Sequence, residues 1–339
     1  MKDIRSMYLD ELTEYVKDMG EPAFRGKQIY EWLHKKYAAT AEDMTNISKS
    51  LRDKIASDII TLAEETRLTS KEDGTIKFLY RLRDGQMIET VFMRYHHGNS
   101  LCISSQAGCR MGCDFCASGI GGLIRNLTAS EMLEQVYASM RLTGERISNI
   151  VVMGTGEALD NYDNFIRFLD LITDEKGYNL SERSITVSSC GLVPMIRKLA
   201  QAGRTVTLAL SLHASTDETR RKIMPIARSY TLTETLDACS YYFEKTGRRV
   251  TFEYALIHGV NDNEEEAMKL SKLIHGMNCH VNLIPVNPVM EKGYTRGSRD
   301  EIDAFKKILE KNQINVTIRR GMGRDIDAAC GQLRRRYSL

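Results

Sequence analysis

The sequence lacks several features that would place it in a special class. Its 339 residues contain no run of about eighteen apolar residues, so we expect no membrane-spanning helix. Residues 1–20 carry scattered acidic side chains and no apolar stretch of the secretory type, which predicts a cytoplasmic protein without membrane contacts. Internal repeats and low-complexity tracts are also missing. With 42% hydrophobic and 27% charged residues, the composition is typical of a folded globular protein.

An excess of charge of one sign is missing as well. The 47 basic residues oppose 45 acidic ones, and the net charge is +2. This balance argues against a protein that binds nucleic acid through overall positive charge. The charge is nevertheless uneven along the chain, because residues 317–339 hold six arginines against Asp325 and Asp327.

The chain has eight cysteines, enough to form a metal site or to supply catalytic thiols. Without a secretion signal these thiols belong to a reducing compartment, where a disulfide framework is not expected. Metal binding or catalysis is therefore the better hypothesis for some of them. Cys190, Cys239 and Cys279 lie in apolar surroundings, and we interpret these three as buried packing residues.

The hydrophobic pattern changes twice along the chain. Residues 1–60 show apolar side chains at helical spacing, and residues 66–98 contain two strand-like runs separated by an Asp84–Gly85 turn, which predicts a β-hairpin. From residue 99 onward, strand-like runs alternate with helical patterns. This alternation predicts an α/β fold with a parallel sheet, doubly wound or barrel-like, whose chemistry gathers at the carboxyl ends of the strands.

The most informative segment is Cys109-Arg-Met-Gly-Cys113-Asp-Phe-Cys116, which directly follows the first strand of the alternating region. Three thiols within eight residues can converge on one metal centre, and thiolates suit zinc or iron–sulfur clusters. A structural zinc site needs four ligands, and no fourth lies nearby on this loop. A [4Fe–4S] cluster held by three cysteines keeps one iron open for a ligand. The alternatives are a zinc site completed by a distant residue, or three buried thiols.

The spacing, with Phe115 before the third cysteine, resembles the signature of the radical S-adenosylmethionine (SAM) enzymes. The resemblance implies a [4Fe–4S] cluster on Cys109, Cys113 and Cys116, whose open iron chelates SAM so that reductive cleavage yields a 5′-deoxyadenosyl radical. Met153-Gly-Thr-Gly-Glu157 resembles the glycine-rich segment of these enzymes, in which Gly156 and Glu157 contact the SAM amino group. Alone, this segment is equally typical of a strand–helix turn with a capping glutamate.

The flanking segments resemble one group closely, the RlmN-type adenine-C2 RNA methyltransferases. The resemblance covers nearly the whole chain, and the segments that carry it are PAFRGKQIYEWL (22–33), SLCISSQAGC (100–109), LSLHAS (210–215), GVND (259–262), NLIPVNP (282–288) and DIDAACGQL (325–333). It implies a partial (β/α)6 barrel with an N-terminal helical domain and a β connector. The domains would be residues 1–65 for RNA binding, 66–94 for the connector, 95–325 for the radical SAM core and 326–339 for a C-terminal segment.

The same resemblance implies covalent chemistry at two further cysteines. Cys330 would accept a methyl group from one SAM, and the radical from a second SAM would activate this methyl group for addition to adenine C2. Cys102 would help resolve the RNA–protein adduct, and a transient Cys102–Cys330 disulfide would form. Glu89 would be a proton acceptor, although a strand glutamate of this kind is otherwise interpreted as solvent-facing.

The remaining roles also follow from the resemblance. The SAM contacts would be Ser188, Ser211, Leu212, His213 and Asn287; for His213 alone, a structural imidazole is the alternative. The substrates would be 23S rRNA, at adenine 2503, and tRNA, at adenine 37. A flavodoxin- or ferredoxin-like protein would donate electrons to a monomeric enzyme. RNA phosphates would be contacted by Arg319, Arg320, Arg324, Arg334–Arg336, Arg25 and Lys27, unless the arginines at the chain end are simply solvated.

Two competing functions stay open. Thr155 and Ala158 depart from the usual form of the glycine-rich segment, and Ala158 also occurs in the Cfr-like enzymes that methylate adenine C8. A zinc-stabilised RNA-binding protein without catalysis would explain the cysteine loop and the basic C-terminal segment. It would not explain the Gly156–Glu157 pair or the cysteine in DIDAACGQL.

Overall fold

The computed structural model describes residues 2–286 and 293–326. Asn287, Cys330 and Arg334–Arg336, which the sequence assigns to the site, lie outside the described residues. None of the helices in the described ranges is long and apolar enough to cross a membrane.

The N-terminal region is helical, as predicted. It contains α1 (Leu9–Asp18), α2 (Phe24–His34) and α3 (Lys49–Ile55). The apolar residues of the predicted helical stripe, Leu12 and Val16, are fully buried against the rest of this region. Helix α3 begins where the Ser48 hydroxyl accepts a hydrogen bond from the Leu51 amide at 3.3 Å.

Twelve strands follow in the described residues. In chain order they are β1 (Ala63–Thr69), β2 (Ile76–Arg81), β3 (Met87–Tyr95), β4 (Gly98–Cys102), β5 (Gln106–Gly108), β6 (Leu123–Asn126), β7 (Asn149–Val152), β8 (Ile185–Ser189), β9 (Thr207–Ser211), β10 (Val250–Leu256), β11 (Cys279–Pro285) and β12 (Val316–Ile318). Seven helices lie between or beside them: α4 (Ala129–Thr143), α5 (Tyr162–Thr173), α6 (Val193–Gln201), α7 (Asp217–Ile223), α8 (Leu232–Thr246), α9 (Glu264–Leu273) and α10 (Arg299–Lys311).

Ten of the strands form one mixed sheet in the order β1-β2-β3-β4-β7-β8-β9-β10-β11-β12. The first four pair antiparallel, and from β4 to β12 every neighbouring pair is parallel. Strands β5 and β6 form a separate antiparallel pair. Helical crossovers between parallel strands are what the alternating sequence pattern predicts. The α/β fold class is therefore confirmed. The parallel strands β4 and β7–β12 number seven in the described residues, one more than the six of the expected (β/α)6 barrel.

The connector between the helical region and the parallel strands differs from the prediction in one respect. The predicted hairpin is present as β2 and β3, but β1 pairs with β2 as well, and β3 pairs with β4. The hairpin is consequently part of the same sheet as the parallel strands. Strand β1 was not predicted because its sequence, AEETRLT, is polar and has no buried residue.

The parallel strands form the centre of the hydrophobic core. In β10, six of seven residues are buried, so both faces of this strand are covered, as expected in a parallel sheet. Capping residues determine where the surrounding helices begin and end. Helix α4 begins with a capping box, in which the Thr128 amide donates to the Glu131 carboxylate and the Glu131 amide donates to the Thr128 hydroxyl. Gly144, with φ of +70°, ends this helix.

Candidate active site

A cavity of about 310 Å³ lies at the carboxyl ends of the parallel strands. Its walls include Cys102 at the end of β4, Ser188 on β8, Ser211 at the end of β9 and Pro285 at the end of β11. Strands far apart in the sheet order share this cavity, so the sheet curves around it. The position confirms the expectation that site residues gather at this end of the strands.

The cysteine loop closes one side of the cavity through Phe115 and Cys116. Its fold is fixed by backbone hydrogen bonds from Cys109 to Gly122 at 3.0 Å and from Cys116 to Cys113 at 3.1 Å. A third bond joins the Asp114 amide to the Ile223 carbonyl at 2.8 Å, which fastens the loop to the end of α7. The edge of the His213 ring packs on Phe115, with the ring centroids 4.7 Å apart.

The three loop thiols lie close enough to influence one another. Burial and the neighbouring Cys116 thiol raise the pKa of Cys109 to about 11, and the same two effects raise the pKa of Cys113 further. Thiols in this state bind metal only after losing their protons, and soft thiolates suit iron–sulfur clusters. The loop therefore offers the ligand set of a three-cysteine cluster, with the adjoining cavity as space for a further ligand.

The loop by itself does not complete a structural zinc site. Such a site needs four ligands, and residues 109–116 offer three cysteines. In the part of the chain that is described, the group of three potential ligands whose atoms lie within 4.8 Å of one another is elsewhere, at His258, Asp262 and Glu301.

The glycine-rich segment packs directly on the residues that follow β4. A β-carbon at Gly154 would lie 2.7 Å from the Ile103 carbonyl oxygen, and one at Gly156, where φ is +110°, would lie 2.6 Å from the Gln106 β-carbon. Any larger residue would push these two segments apart. The glycines thus serve close backbone packing, and Gly156 is not on the cavity wall.

Glu157 is buried behind the cavity wall, with 5% of its surface exposed. Its carboxylate accepts hydrogen bonds from the Cys190 amide at 2.7 Å and from the Leu159 amide at 3.2 Å. Burial raises its pKa, and the hydrogen bonds from Cys190 oppose that shift. Its charge is felt at Cys109 and Cys113, so it lies near the cysteine loop.

The residues predicted on β8 and β9 meet at the cavity. The hydroxyls of Ser188 and Ser211 are 3.4 Å apart, and both line the wall together with His213. The Ala255 amide donates to Nδ1 of His213 at 2.9 Å, while burial and the nearby Arg220 lower the pKa of His213 to about 3. The imidazole is therefore neutral and fixed. Leu212 is fully buried and is not on the cavity wall.

Glu89 lies on β3 and Cys102 on β4, two strands that precede β8 and β9 in the order of the sheet. Glu89 is only 3% exposed and forms an ion pair with the buried Lys77 at 3.0 Å, so a solvent-facing position is wrong. Cys102 is buried, pairs with Val91 across the strands and packs beside Met322. The seven cysteines of the described ranges form no disulfide with one another.

Residues 319–326 cross the mouth of the cavity. Arg319, Arg320, Gly321, Met322 and Arg324 all line it. The Arg319 amide bonds to the Leu283 carbonyl at 2.8 Å as the segment leaves β12. At its far end the Gly323 amide donates to Asp73 and the Lys71 amide donates to Asp325, each at 2.9 Å. The segment, called the strap below, is thus held at both ends.

The comparisons with known proteins agree with this site. A family model described as the Radical SAM superfamily matches residues 103–271, and one described as the ribosomal RNA large subunit methyltransferase N-terminal domain matches residues 2–60. A protein of Lachnoclostridium phytofermentans, named probable dual-specificity RNA methyltransferase RlmN, is 60% identical over 99% of this chain and 95% of its own. The chain belongs to the RlmN family of radical SAM RNA methyltransferases.

Two further likenesses support membership of the RlmN family. A protein of Clostridium perfringens with the same name is 53% identical over 99% of this chain and 98% of its own. The crystal structure of a radical SAM methyltransferase from Sphaerobacter thermophilus is 43% identical and has a TM-score of 0.94, with 98% and 99% of the two chains covered. The superfamily implies a [4Fe–4S] cluster and SAM, and residues 109–116 carry the cysteine spacing that it requires.

Sequence reasoning from the RlmN resemblance missed two charged residues on the cavity wall, Glu253 and Arg296. Glu253, on β10, is 6% exposed; burial raises its pKa, while Arg319 and a 2.8 Å hydrogen bond from Asn282 oppose this. The available signal was an acidic residue inside the otherwise apolar run VTFEYALI. Arg296 was also missed, because it belongs to no recognisable element of the sequence.

Proposed function

We propose that this RNA methyltransferase methylates C2 of a specific adenine in 23S rRNA and in tRNA, with Cys330 as the methyl carrier. The observation that carries the proposal is the course of the strap. It crosses the cavity beside Cys102 and reaches Ile326, four residues before Cys330. Four residues of chain span at most about 14 Å, so the Cys330 thiol would be able to reach the cavity and Cys102 from Ile326.

Cys109, Cys113 and Cys116 would hold the [4Fe–4S] cluster, and the cavity beside them would hold SAM. When bound, this pair supplies the radical that activates a methyl group. Ser188, Ser211 and His213 would orient SAM from the ends of β8 and β9, with Asn287 assigned to the same task. Glu157 and Gly156 would act through backbone packing and charge, since neither is on the cavity wall. The neutral His213 can donate from Nε2 without adding charge.

Three side chains would handle the methyl group and the protons. The Cys330 thiolate would attack the methyl carbon of one SAM, displace S-adenosylhomocysteine and so become an S-methyl thioether. Adenine C2 has no lone pair with which to attack SAM, so a tethered carbon radical is the group that can add there. Glu89 or Cys102 would take the C2 proton of the resulting RNA–Cys330 adduct. Attack of the Cys102 thiolate on the Cys330 sulfur would then form the Cys102–Cys330 disulfide and break the bond from that sulfur to the transferred carbon, which stays on adenine and takes up a proton.

RNA would approach from the strap. Arg319, Arg320 and Arg324 line the cavity mouth, where they can contact phosphates around a base that is turned out of its helix. Residues 1–65 would bind RNA as a second domain, with Arg25 beside the exposed ring of Phe24 and Lys27 in the same helix. A flavodoxin- or ferredoxin-like donor would supply electrons to a cytoplasmic monomer.

A second candidate is methylation of adenine C8. Ala158 favours it, because this residue also occurs in the Cfr-like enzymes; Thr155 is a departure from the usual segment that favours neither position. The Thr155 hydroxyl is buried without a hydrogen-bond partner, so nothing in the described contacts requires threonine there.

One experiment separates these functions. The purified enzyme is incubated anaerobically with a reductant, methyl-labelled SAM and protein-free 23S rRNA from a host that lacks its own enzyme, and the nucleosides are analysed by mass spectrometry. We expect 2-methyladenosine; 8-methyladenosine alone would show the C8 activity. Cys330→Ala should keep the iron and sulfide of the wild type but transfer no methyl group. A colourless protein containing zinc would refute the radical mechanism.

A further inference from the structure

Arg220 is a fully buried arginine without an acidic partner. It lies on α7 with no exposed surface, and no carboxylate of the described residues forms a salt bridge with it. Its guanidinium donates to backbone carbonyls only: Cys190 at 2.7 Å, Leu212 at 3.1 Å and Ser211 at 3.3 Å. Its Nη1 atom is buried and has no hydrogen-bond partner.

Such a charge is costly unless an anion offsets it. Buried charges in proteins are normally paired or ligate a metal, and an uncompensated one destabilises the fold. The other fully buried arginine, Arg5, follows the rule because Glu134 lies 2.7 Å from it. Among the described carboxylates, Asp217 favours the charged form of Arg220 but forms no salt bridge with it. A closer anion is therefore still needed.

The cysteine loop is the neighbour that can supply this charge. Cys113 packs on a small apolar cluster that contains Cys190 and Ile223, and the Asp114 amide is bonded to the Ile223 carbonyl at 2.8 Å. Helix α7 is thus attached to the loop at one end and carries Arg220 in its last turn. The thiols of Cys190 and Cys113 are the neighbours that most favour the charged form of Arg220. Arg220 is not on the cavity wall.

We propose that Arg220 is the fixed counter-charge of the iron–sulfur cluster on Cys109, Cys113 and Cys116, a positioning residue that sets the cluster's reduction potential. The inference rests on the proposed function, because it needs the cluster to be bound. Three thiolates give the cluster net negative charge, and one electron from a flavodoxin- or ferredoxin-like donor takes [4Fe–4S]²⁺ to [4Fe–4S]⁺ and increases that charge. A buried cation favours the reduced form.

The test compares Arg220→Gln with Arg221→Gln. Both remove one positive charge from α7, but Arg221 is exposed and bonds only to the Ala227 carbonyl. The thermal unfolding midpoint of each variant is measured with and without the reconstituted cluster. The cluster's midpoint potential is measured by EPR-monitored titration under argon. For Arg220→Gln we expect a larger loss of stability with cluster than without it, and a shift to more negative potential. Arg221→Gln should show neither change.

A third variant separates charge from packing. Arg220→Lys keeps the positive charge but cannot donate to all three carbonyls, so its potential should stay near that of the wild type while the cluster-free protein loses stability. This variant also decides the question if Arg220→Gln does not fold. Equal loss of stability in both states, or a lysine variant whose potential falls as far as expected for glutamine, would overturn the inference. Wild-type protein that takes up no iron would overturn the proposed function along with it.

Discussion

The two sides of the mixed sheet treat buried charge differently. On the side of the N-terminal helices and antiparallel strands, charges are paired: Arg5 with Glu134 at 2.7 Å and Lys77 with Glu89 at 3.0 Å. On the parallel side, Arg220 and Glu253 are buried and form no salt bridge within the described residues. We call the first the complete side because its fully buried cations, Arg5 and Lys77, are paired. On the second, ligands would pair the charges of Arg220 and Glu253.

Paired buried charges belong to the stable framework of the fold, whereas unpaired buried charges indicate a functional site. A paired buried charge has already offset its desolvation cost, whereas an unpaired one beside a cavity marks a place where an ionised ligand stabilises the fold. The four predictions that follow test this comparison on both sides of the sheet and at the boundary between them. They are ordered by the size of the effect on free energy.

The largest effect is expected from breaking a pair on the complete side. Glu134→Gln leaves Arg5 buried without its partner and also removes the partner of Arg141, so the free energy of unfolding should fall by about 3–5 kcal/mol. Urea unfolding followed by circular dichroism measures this. Glu218→Gln, which alters an exposed pair with Lys222, is the control and should unfold at the wild-type urea concentration. Equal midpoints for the two variants would refute the pairing argument.

Buried histidines should make both sides equally sensitive to acid. Burial lowers the pKa of His34 and of His213 from 6.5 to about 3. Below about pH 6.5 the unfolded chain binds a proton at each position, while the folded chain does so only near pH 3. The free energy of unfolding therefore falls by about 1.4 kcal/mol per pH unit for each histidine as the pH drops through this window.

The check is the slope of stability against pH in two single variants. His34→Gln on the complete side and His213→Asn on the other should each remove a similar share of the slope between pH 6 and about pH 4. Asparagine suits position 213 because φ there is +55°. If only one variant flattened the slope, the other imidazole would be protonated in the folded protein.

The features that could be predicted are those encoded by a short stretch of sequence. The cysteine loop and its ligand role follow from spacing within eight residues, and the parallel strands follow from alternation, so both were predicted. Strand β1 is polar and is stabilised by its pairing with β2, which no local pattern shows. Arg220 lies in DETRRK, a sequence typical of an exposed helix, and only the tertiary structure buries it.

The same limit explains Glu89 and Glu253. Strand periodicity gives the alternation of faces but not which face is covered, so Glu89 could equally be exposed or buried. Lys77, its partner at 3.0 Å, lies twelve residues earlier on a neighbouring strand. Glu253 is recognisable as an acid in an apolar strand, but its place on the cavity wall depends on how the sheet curves.

A smaller effect is expected where a paired charge adjoins the site. Lys77→Met removes the cation that is paired with Glu89 at 3.0 Å and fixes its carboxylate. If Glu89 accepts a proton during methyl transfer, the rate of methyl transfer from labelled SAM should fall about tenfold. Arg81→Met, an exposed position on the same strand, is the control and should keep the wild-type rate. A wild-type rate in Lys77→Met, with lower stability, would make Glu89 structural.

The smallest effect concerns the boundary between the two sides, where the strap is fastened to the turn between β1 and β2. Asp73→Ala removes the acceptor of the Gly323 amide, a bond of 2.9 Å that stabilises by about 1 kcal/mol, or roughly a fivefold change in local opening. Cys102, 5% exposed beneath Met322, should then be alkylated about fivefold faster, as measured by peptide mass spectrometry. Glu72→Ala, in the same turn but exposed, should alkylate at the wild-type rate. Equal rates in the two variants would mean that Asp73 does not hold the strap over Cys102, and that β12 and the cavity wall alone keep it in place.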